Sequence, residues 1–269
     1  MSNKKKTFKS VLSDILLLAA IGVFIFSGYK LYTIFGEYNK GKSEYEDIVR
    51  DVIHKIEPIE DENIGETSDE DPQYVVDFEK LMATNPDTVA WIRFEEPETI
   101  SYPVVQGQDN SKYLKTTFEG KRNSAGTIFM DVSNAPDFTS KNTFVYGHNM
   151  KNGSMFGQLR KFKNSSYCSE NPYFFIYTPD GMCSRYQIFS VCVVKDTSRS
   201  FEMNYPTDEA FMDYVSYIRS ISLYSVDAEV TTDSNIVTLS TCTNVSDDER
   251  LLVHAVKIEE DSVSGIVEE

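Results

Sequence analysis

Residues 235–242 read NIVTLSTC and residues 250–258 read RLLVHAVKI, with the polar stretch Thr243–Glu249 between them. Both runs are rich in apolar and β-branched residues, and a short polar spacer between two such runs reads as the turn of an antiparallel hairpin. In that hairpin Cys242 and Arg250 face each other at the mouth, and His254 lies four residues further along its strand. At about 3.3 Å of rise per residue, His254 is roughly 13 Å from the mouth and out of hydrogen-bond reach of the thiol.

Outward from the hairpin, six further runs have the same β character: Val89–Glu95, Ile100–Gln106, Gly126–Met130, Asn142–Gly147, Tyr173–Tyr177 and Arg185–Lys195. Gly, Pro, Asn and Asp punctuate them, so eight short strands point to a mainly β barrel or sandwich. One helix interrupts the pattern and a shorter one precedes it. Thr207–Tyr224 carries an apolar stripe of Phe211, Tyr214, Val215, Ile218 and Ile221, and Asp77–Ala83 forms a shorter one.

The chain has 269 residues, 26 Lys+Arg and 42 Asp+Glu, a formal charge of −16. Its apolar content supports a folded core, whereas its acidity excludes the phosphate neutralisation that drives nucleic-acid binding. It contains no P-loop, no GxGxxG and no zinc-type CxxC spacing, so neither a cofactor nor a metal is expected. Four cysteines are too few to build a disulfide scaffold.

The N-terminus carries Lys4, Lys5, Lys6 and Lys9, followed by ILLLAAIGVFIFSGY over 15–29 with apolar extensions on both sides. That length spans a bilayer and exceeds the apolar region of a cleaved signal peptide, which is the competing reading. The lysines then stay on the cytoplasmic side and the rest of the chain is extracellular, in a single-pass arrangement. After a helix-compatible stretch, Glu37–Ile56, comes EPIEDENIGETSDED over 57–71, eight acids and no base, which reads as a solvated linker. The expected organisation is thus a basic tail over 1–9, an anchor over 10–35, a stalk and linker over 36–73, a folded domain over 74–258 and an acidic tail over 259–269.

With four cysteines and three histidines, a thiol nucleophile and its base are found by elimination. Cys242 ends a strand at a polar loop, where a barrel exposes reactive side chains, whereas Cys192 sits inside the run FSVCVVK and reads as core. Cys168 and Cys183 fall in turn-like polar segments with no partner signature. His54 precedes the linker and is expected to be membrane-proximal and solvated, and His254 is too far along its strand. His148 is left, ending a strand in VYGHNMKNG. Arg250, opposite Cys242, brings a permanent positive charge toward an oxyanion formed on the attacked carbonyl.

These residues also carry a resemblance. TLSTC at 238–242, the Arg eight residues after the Cys in ERLLVHAVKI, and YGHNM around His148 resemble the sortases. More particularly they resemble the class B sortases, membrane-anchored cysteine transpeptidases of Gram-positive bacteria. The similarity extends through NPDTVAWIRF (85–94), ISYPVVQGQDNSKYL (100–114) and GTIFMD (126–131) to a helical insertion between the sixth and seventh strands. It implies a closed eight-stranded sortase-type β-barrel with helical insertions behind an N-terminal transmembrane helix, with His148, Cys242 and Arg250 converging on a groove.

The resemblance further implies that the thiolate attacks the Thr carbonyl of a C-terminal sorting signal, commonly Asn-Pro-x-Thr in this class, and holds the protein as a thioester. An amine from a peptidoglycan precursor or cross-bridge then resolves it, and the partners are surface proteins that bear the signal. Asn110, Leu114 and Ser240 match family positions that line the signal groove. The backbone N–H of Thr243, directly after the nucleophile, is a second oxyanion donor. The C-terminal EEDSVSGIVEE has no second apolar segment, which disfavours the pilin-polymerising class. Two other readings stay open: another thiol cell-wall transpeptidase, although its His-Gly-Cys element is absent, and a tethered binding domain in which Cys242 is merely packed.

Overall fold

The computed structural model describes residues 8–55, 74–243, 245–246 and 248–263. The acidic stretch 57–71, the lysines at 4–6 and the last residues of the acidic tail lie outside them. Among the described residues the first element is α1, Phe8–Val52, a 45-residue helix about 68 Å long. Its N-terminal part exposes Ile15, Leu16, Leu17, Leu18, Phe24 and Phe26, and it is long and apolar enough to cross a membrane.

The helix does not stop where the apolar run ends. It continues through the stretch expected as a stalk, and its last turns lie on the folded body. Tyr45, Ile48 and Val52 are buried there at helical spacing. The Tyr45 hydroxyl donates to the Gly126 carbonyl at 2.5 Å, and its ring meets Tyr102 edge-on at 5.3 Å. Two short strands follow, β1 (Ile53–Lys55) and β2 (Tyr74–Val76), paired antiparallel. Helix α2, Phe78–Thr84, is capped by Asp77, whose carboxylate accepts the Lys80 N–H at 2.9 Å.

The body is a closed barrel of eight strands: β3 (Thr88–Arg93), β4 (Ser101–Val105), β5 (Ile128–Met130), β6 (Asn142–Tyr146), β7 (Tyr173–Tyr177), β8 (Met182–Lys195), β9 (Ile236–Cys242) and β10 (Glu249–Ser262). Around the barrel the order is β10-β8-β7-β3-β4-β5-β6-β9. All neighbours are antiparallel except β4 with β5 and β6 with β9. Closure leaves no free sheet edge and encloses an aromatic interior in which the Phe94 ring stacks on Phe174 at 4.9 Å and Phe174 on Tyr186 at 5.4 Å. Helix α3 (Ser165–Glu170) lies between β6 and β7, and α4 (Asp208–Ser220) between β8 and β9, the sixth and seventh barrel strands. The Thr207 hydroxyl caps α4 by accepting the Ala210 N–H, and Phe211, Tyr214, Val215 and Ile218 pack on Phe189, Ile236 and Val256. Burial of four such side chains contributes about 1.5–3 kcal/mol each.

Several boundaries shift for visible reasons. Gly126 is not in β5: its φ is +59°, and an added Cβ would lie 2.4 Å from the Tyr113 carbonyl oxygen. Helix α4 ends at Ser220 because the chain turns away to give the Leu223 N–H to the Val191 carbonyl at 2.8 Å. Strand β10 keeps pairing with β8 as far as Ser262 opposite Met182, beyond the expected end at 258. Its acids are used there, since Glu260 accepts the Ser184 hydroxyl at 2.8 Å. Cys168 and Cys183 are buried in α3 and β8 rather than in polar turns, and all four cysteines are free.

Candidate active site

The hairpin forms as the sequence indicated. β9 and β10 pair with Arg250 opposite Cys242 and His254 opposite Thr238. His254 is completely buried, and burial pulls it down to about 3 against a smaller opposing effect of the Ser190 backbone. It is a core residue. His54 is not simply solvated as expected: it sits in β1 opposite Val75, half-buried, because β1 pairs with β2.

His148 arrives from the other side of β9. Strand β6 runs parallel to β9 with Tyr146 opposite Ser240, and the Gly147 N–H extends the ladder to the Ser240 carbonyl at 3.1 Å. Only glycine fits at 147, since a Cβ there would lie 2.4 Å from Ile128 Cδ1 and 2.7 Å from the Phe156 ring. Two more bonds tie the strand ends together: the Thr241 hydroxyl donates to the Gly147 carbonyl, and the Asn149 side-chain amide donates to the Cys242 carbonyl, each at 2.7 Å. His148 therefore leaves the barrel rim beside the end of β9. Its Nε2 lies 2.7 Å from the Leu114 carbonyl. A carbonyl can only accept, so this bond assigns the proton to Nε2 and leaves Nδ1 as the other ring nitrogen.

A groove of about 330 Å³ opens at this rim, and its wall includes Asn110, Leu114, Ser240, His148, Cys242 and Arg250. Cys242 is partly exposed, whereas burial holds the other thiols in their neutral form: Cys183 and Cys192 are each pushed up to about 12 and Cys168 is raised. The Arg250 guanidinium donates to the Glu249 carbonyl at 3.0 Å and lies 3.4 Å from an Asp196 carboxylate oxygen. Those anchors hold a side chain that starts directly across from the thiol.

The other expected groove residues differ in what they can offer. Asn110 is clamped at both ends, donating to Asp131 Oδ2 at 2.8 Å and accepting the Val132 N–H at 2.9 Å. Tyr146 donates to that same carboxylate oxygen at 3.0 Å. Leu114 is exposed and contributes its carbonyl to His148 as well as its side chain to the wall. Thr243 is not part of the wall: its hydroxyl donates to Glu249 Oε2 at 3.0 Å and accepts the Val245 N–H at 3.2 Å. Sequence reasoning missed Asn149, Tyr146 and Asp131. Asn149 stands in the YGHNM segment beside His148, but its amide bonds to a main-chain carbonyl that no motif encodes. A larger cleft, about 610 Å³ between α1 and the barrel, is lined by Tyr45, Arg50, Tyr74 and Arg93 among others and contains no thiol or imidazole, so size alone does not locate the chemistry. Among the described residues no group of three or more His, Cys, Asp or Glu is placed to hold a metal ion.

The chain that carries this rim is similar in sequence and fold to known proteins. A model described as a sortase domain matches residues 95–258. A protein named sortase B from Listeria monocytogenes is 34% identical over 245 residues, covering 90% of this chain and 94% of that one. Among solved structures, sortase B from Bacillus anthracis in complex with AAEK1 aligns with a TM-score of 0.68 at 28% identity, covering 84% of this chain and all of the other. A Staphylococcus aureus sortase B–substrate complex aligns with a TM-score of 0.63 at 29% identity, covering 70% of this chain and 85% of the other.

The chain belongs to the sortase family, the cysteine transpeptidases that attach proteins to the cell surface. The relative and the solved structures named above are class B sortases, and a closed eight-stranded barrel is typical of the family.

Proposed function

We propose that Cys242 is the nucleophile, His148 the acid and base, and Arg250 the charge that meets the oxyanion. The reading is carried by one observation: side chains at the ends of β6, β9 and β10 line a single groove, with the only partly exposed thiol among the described cysteines between the other two. Thiolate sulfur adds to the Thr carbonyl of a sorting signal, giving a tetrahedral oxyanion opposite the Arg250 guanidinium. Collapse breaks the C–N bond, and the imidazolium gives its proton to the departing amine. A cell-wall amine then attacks the thioester, losing its proton to the neutral imidazole, and sulfur leaves as thiolate. Because the Leu114 carbonyl engages Nε2–H, proton exchange falls to Nδ1. The Thr243 N–H is the second oxyanion donor in this scheme.

The class B kinship supports the finer features of the proposal. The signal is of Asn-Pro-x-Thr type and lies along Asn110, Leu114 and Ser240. The acceptor is an amine of a peptidoglycan precursor or cross-bridge. Residues 10–35 form a single-pass anchor with the lysine-rich end in the cytoplasm and the barrel outside. A panel of Asn-Pro-x-Thr and Leu-Pro-x-Thr peptides tests the reading. Cleavage after Thr in the first set, lost in Cys242→Ala with fold and membrane location unchanged, is the expected result; full residual cleavage by Cys242→Ala overturns it.

A further inference from the structure

Asn149 occupies a particular place in the β6–β9 ladder. In a parallel pair, every second N–H of one strand bonds to every second carbonyl of the next. The Gly147 N–H takes the Ser240 carbonyl, so the next bond in sequence would run from the Asn149 N–H to the Cys242 carbonyl. The chain turns aside at His148 instead, and the side-chain amide of Asn149 fills that position, 2.7 Å from the Cys242 oxygen. Asn149 is itself held from behind by a β-bridge to Met155, whose N–H is bonded to the Tyr102 hydroxyl at 2.9 Å.

The peptide unit that carries the Cys242 carbonyl also carries the Thr243 N–H. A trans peptide is planar, so its C=O and N–H point in opposite directions and turn together. We infer that Asn149 is a positioning residue which, by fixing the Cys242 carbonyl on the β6 side, aims the Thr243 N–H at the oxyanion. The same residue adjoins His148, so one turn orients both the acid–base group and the donor opposite it. This rests on the assignment of Cys242 as nucleophile and Thr243 N–H as donor.

Two reactions at the same sulfur separate orientation of that donor from general damage. Alkylation of Cys242 by iodoacetamide displaces iodide and forms no oxyanion, whereas acylation by a sorting peptide does. In Asn149→Ala, with Asn149→Leu as a second variant of closer volume, acylation is expected to fall about 10- to 100-fold, somewhat less than loss of a whole oxyanion donor. Alkylation at the same pH is expected to stay within about twofold, and the loss to appear in kcat rather than KM. Equal loss of both reactions, or unchanged acylation, in whichever variant melts like the parent overturns the inference. Failure of the nucleophile assignment looks different: peptide cleavage then survives in Cys242→Ala.

Discussion

Cys242 and Arg250 are direct partners across the β9–β10 ladder, so their side chains leave the same face of the sheet at the end of the hairpin. The guanidinium is steadied from behind by the Glu249 carbonyl and Asp196. Arg250→Ala is therefore expected to lower kcat/KM by about 10²–10³. Arg250→Lys restores only part of this, because a point charge cannot keep the anchors and also reach the oxyanion. Steady-state cleavage of a sorting peptide measures both; parent-like activity in Arg250→Ala contradicts the role.

His148 is expected to contribute the factor typical of general acid–base groups. His148→Ala should lose about 10²–10⁴ in kcat/KM. Steady-state cleavage of a sorting peptide measures the loss, and the barrel should melt normally. Parent-like cleavage by the variant counts against the assignment.

Gly147 lets the β6 end approach Ile128 and Phe156. Gly147→Ala forces a Cβ into contacts of 2.4 and 2.7 Å. Overpacking of this kind costs about 1–3 kcal/mol. Because the residue precedes His148, activity should fall further than the fraction unfolded explains. Denaturant melts and peptide cleavage on the same samples compare the two.

Tyr45 ties α1 to the barrel through its ring and through its bond to the Gly126 carbonyl. Tyr45→Phe should cost about 1 kcal/mol for the lost bond, and Tyr45→Ala about 3–5 kcal/mol for the lost packing. Equilibrium unfolding reads both. If Tyr45→Ala is as stable as the parent, the helix end contributes nothing to the body.

His254 links stability to acid. Burial lowers its folded value to about 3, against about 6.5 for an exposed histidine. Between these values the unfolded chain binds a proton that the folded chain excludes. The contribution is thus intact above about pH 6.5 and is lost as pH falls toward 3, at about 1.4 kcal/mol per pH unit. His254→Leu removes that slope, and unfolding measured at pH 7 and pH 5 should differ less in the variant than in the parent by about 2 kcal/mol.

The eight β-type runs with turn residues between them pointed to a barrel or a sandwich, since their apolar faces must be buried against one another, and the sortase resemblance selected the closed barrel. The Cys242–Arg250 register was legible because one short turn sets it. Docking of α1 was not: Tyr45, Ile48 and Val52 mark one face of a helix, but nothing local says what that face meets. Cys168 looked polar from its serine neighbours, yet α3 turns it inward. The main-chain partners of His148 and Asn149 were invisible for a similar reason, since every residue has a carbonyl and only the fold chooses which one is used.

In the proposed mechanism, sulfur at position 242 holds the acyl group. Rapid quench of the enzyme with an Asn-Pro-x-Thr peptide, followed by intact mass and peptide mapping, tests it directly. The expected result is an adduct ending in Thr on Cys242, released by hydroxylamine and by an added amine. An adduct on another residue, or turnover with no adduct at any time point and no loss in Cys242→Ala, contradicts it.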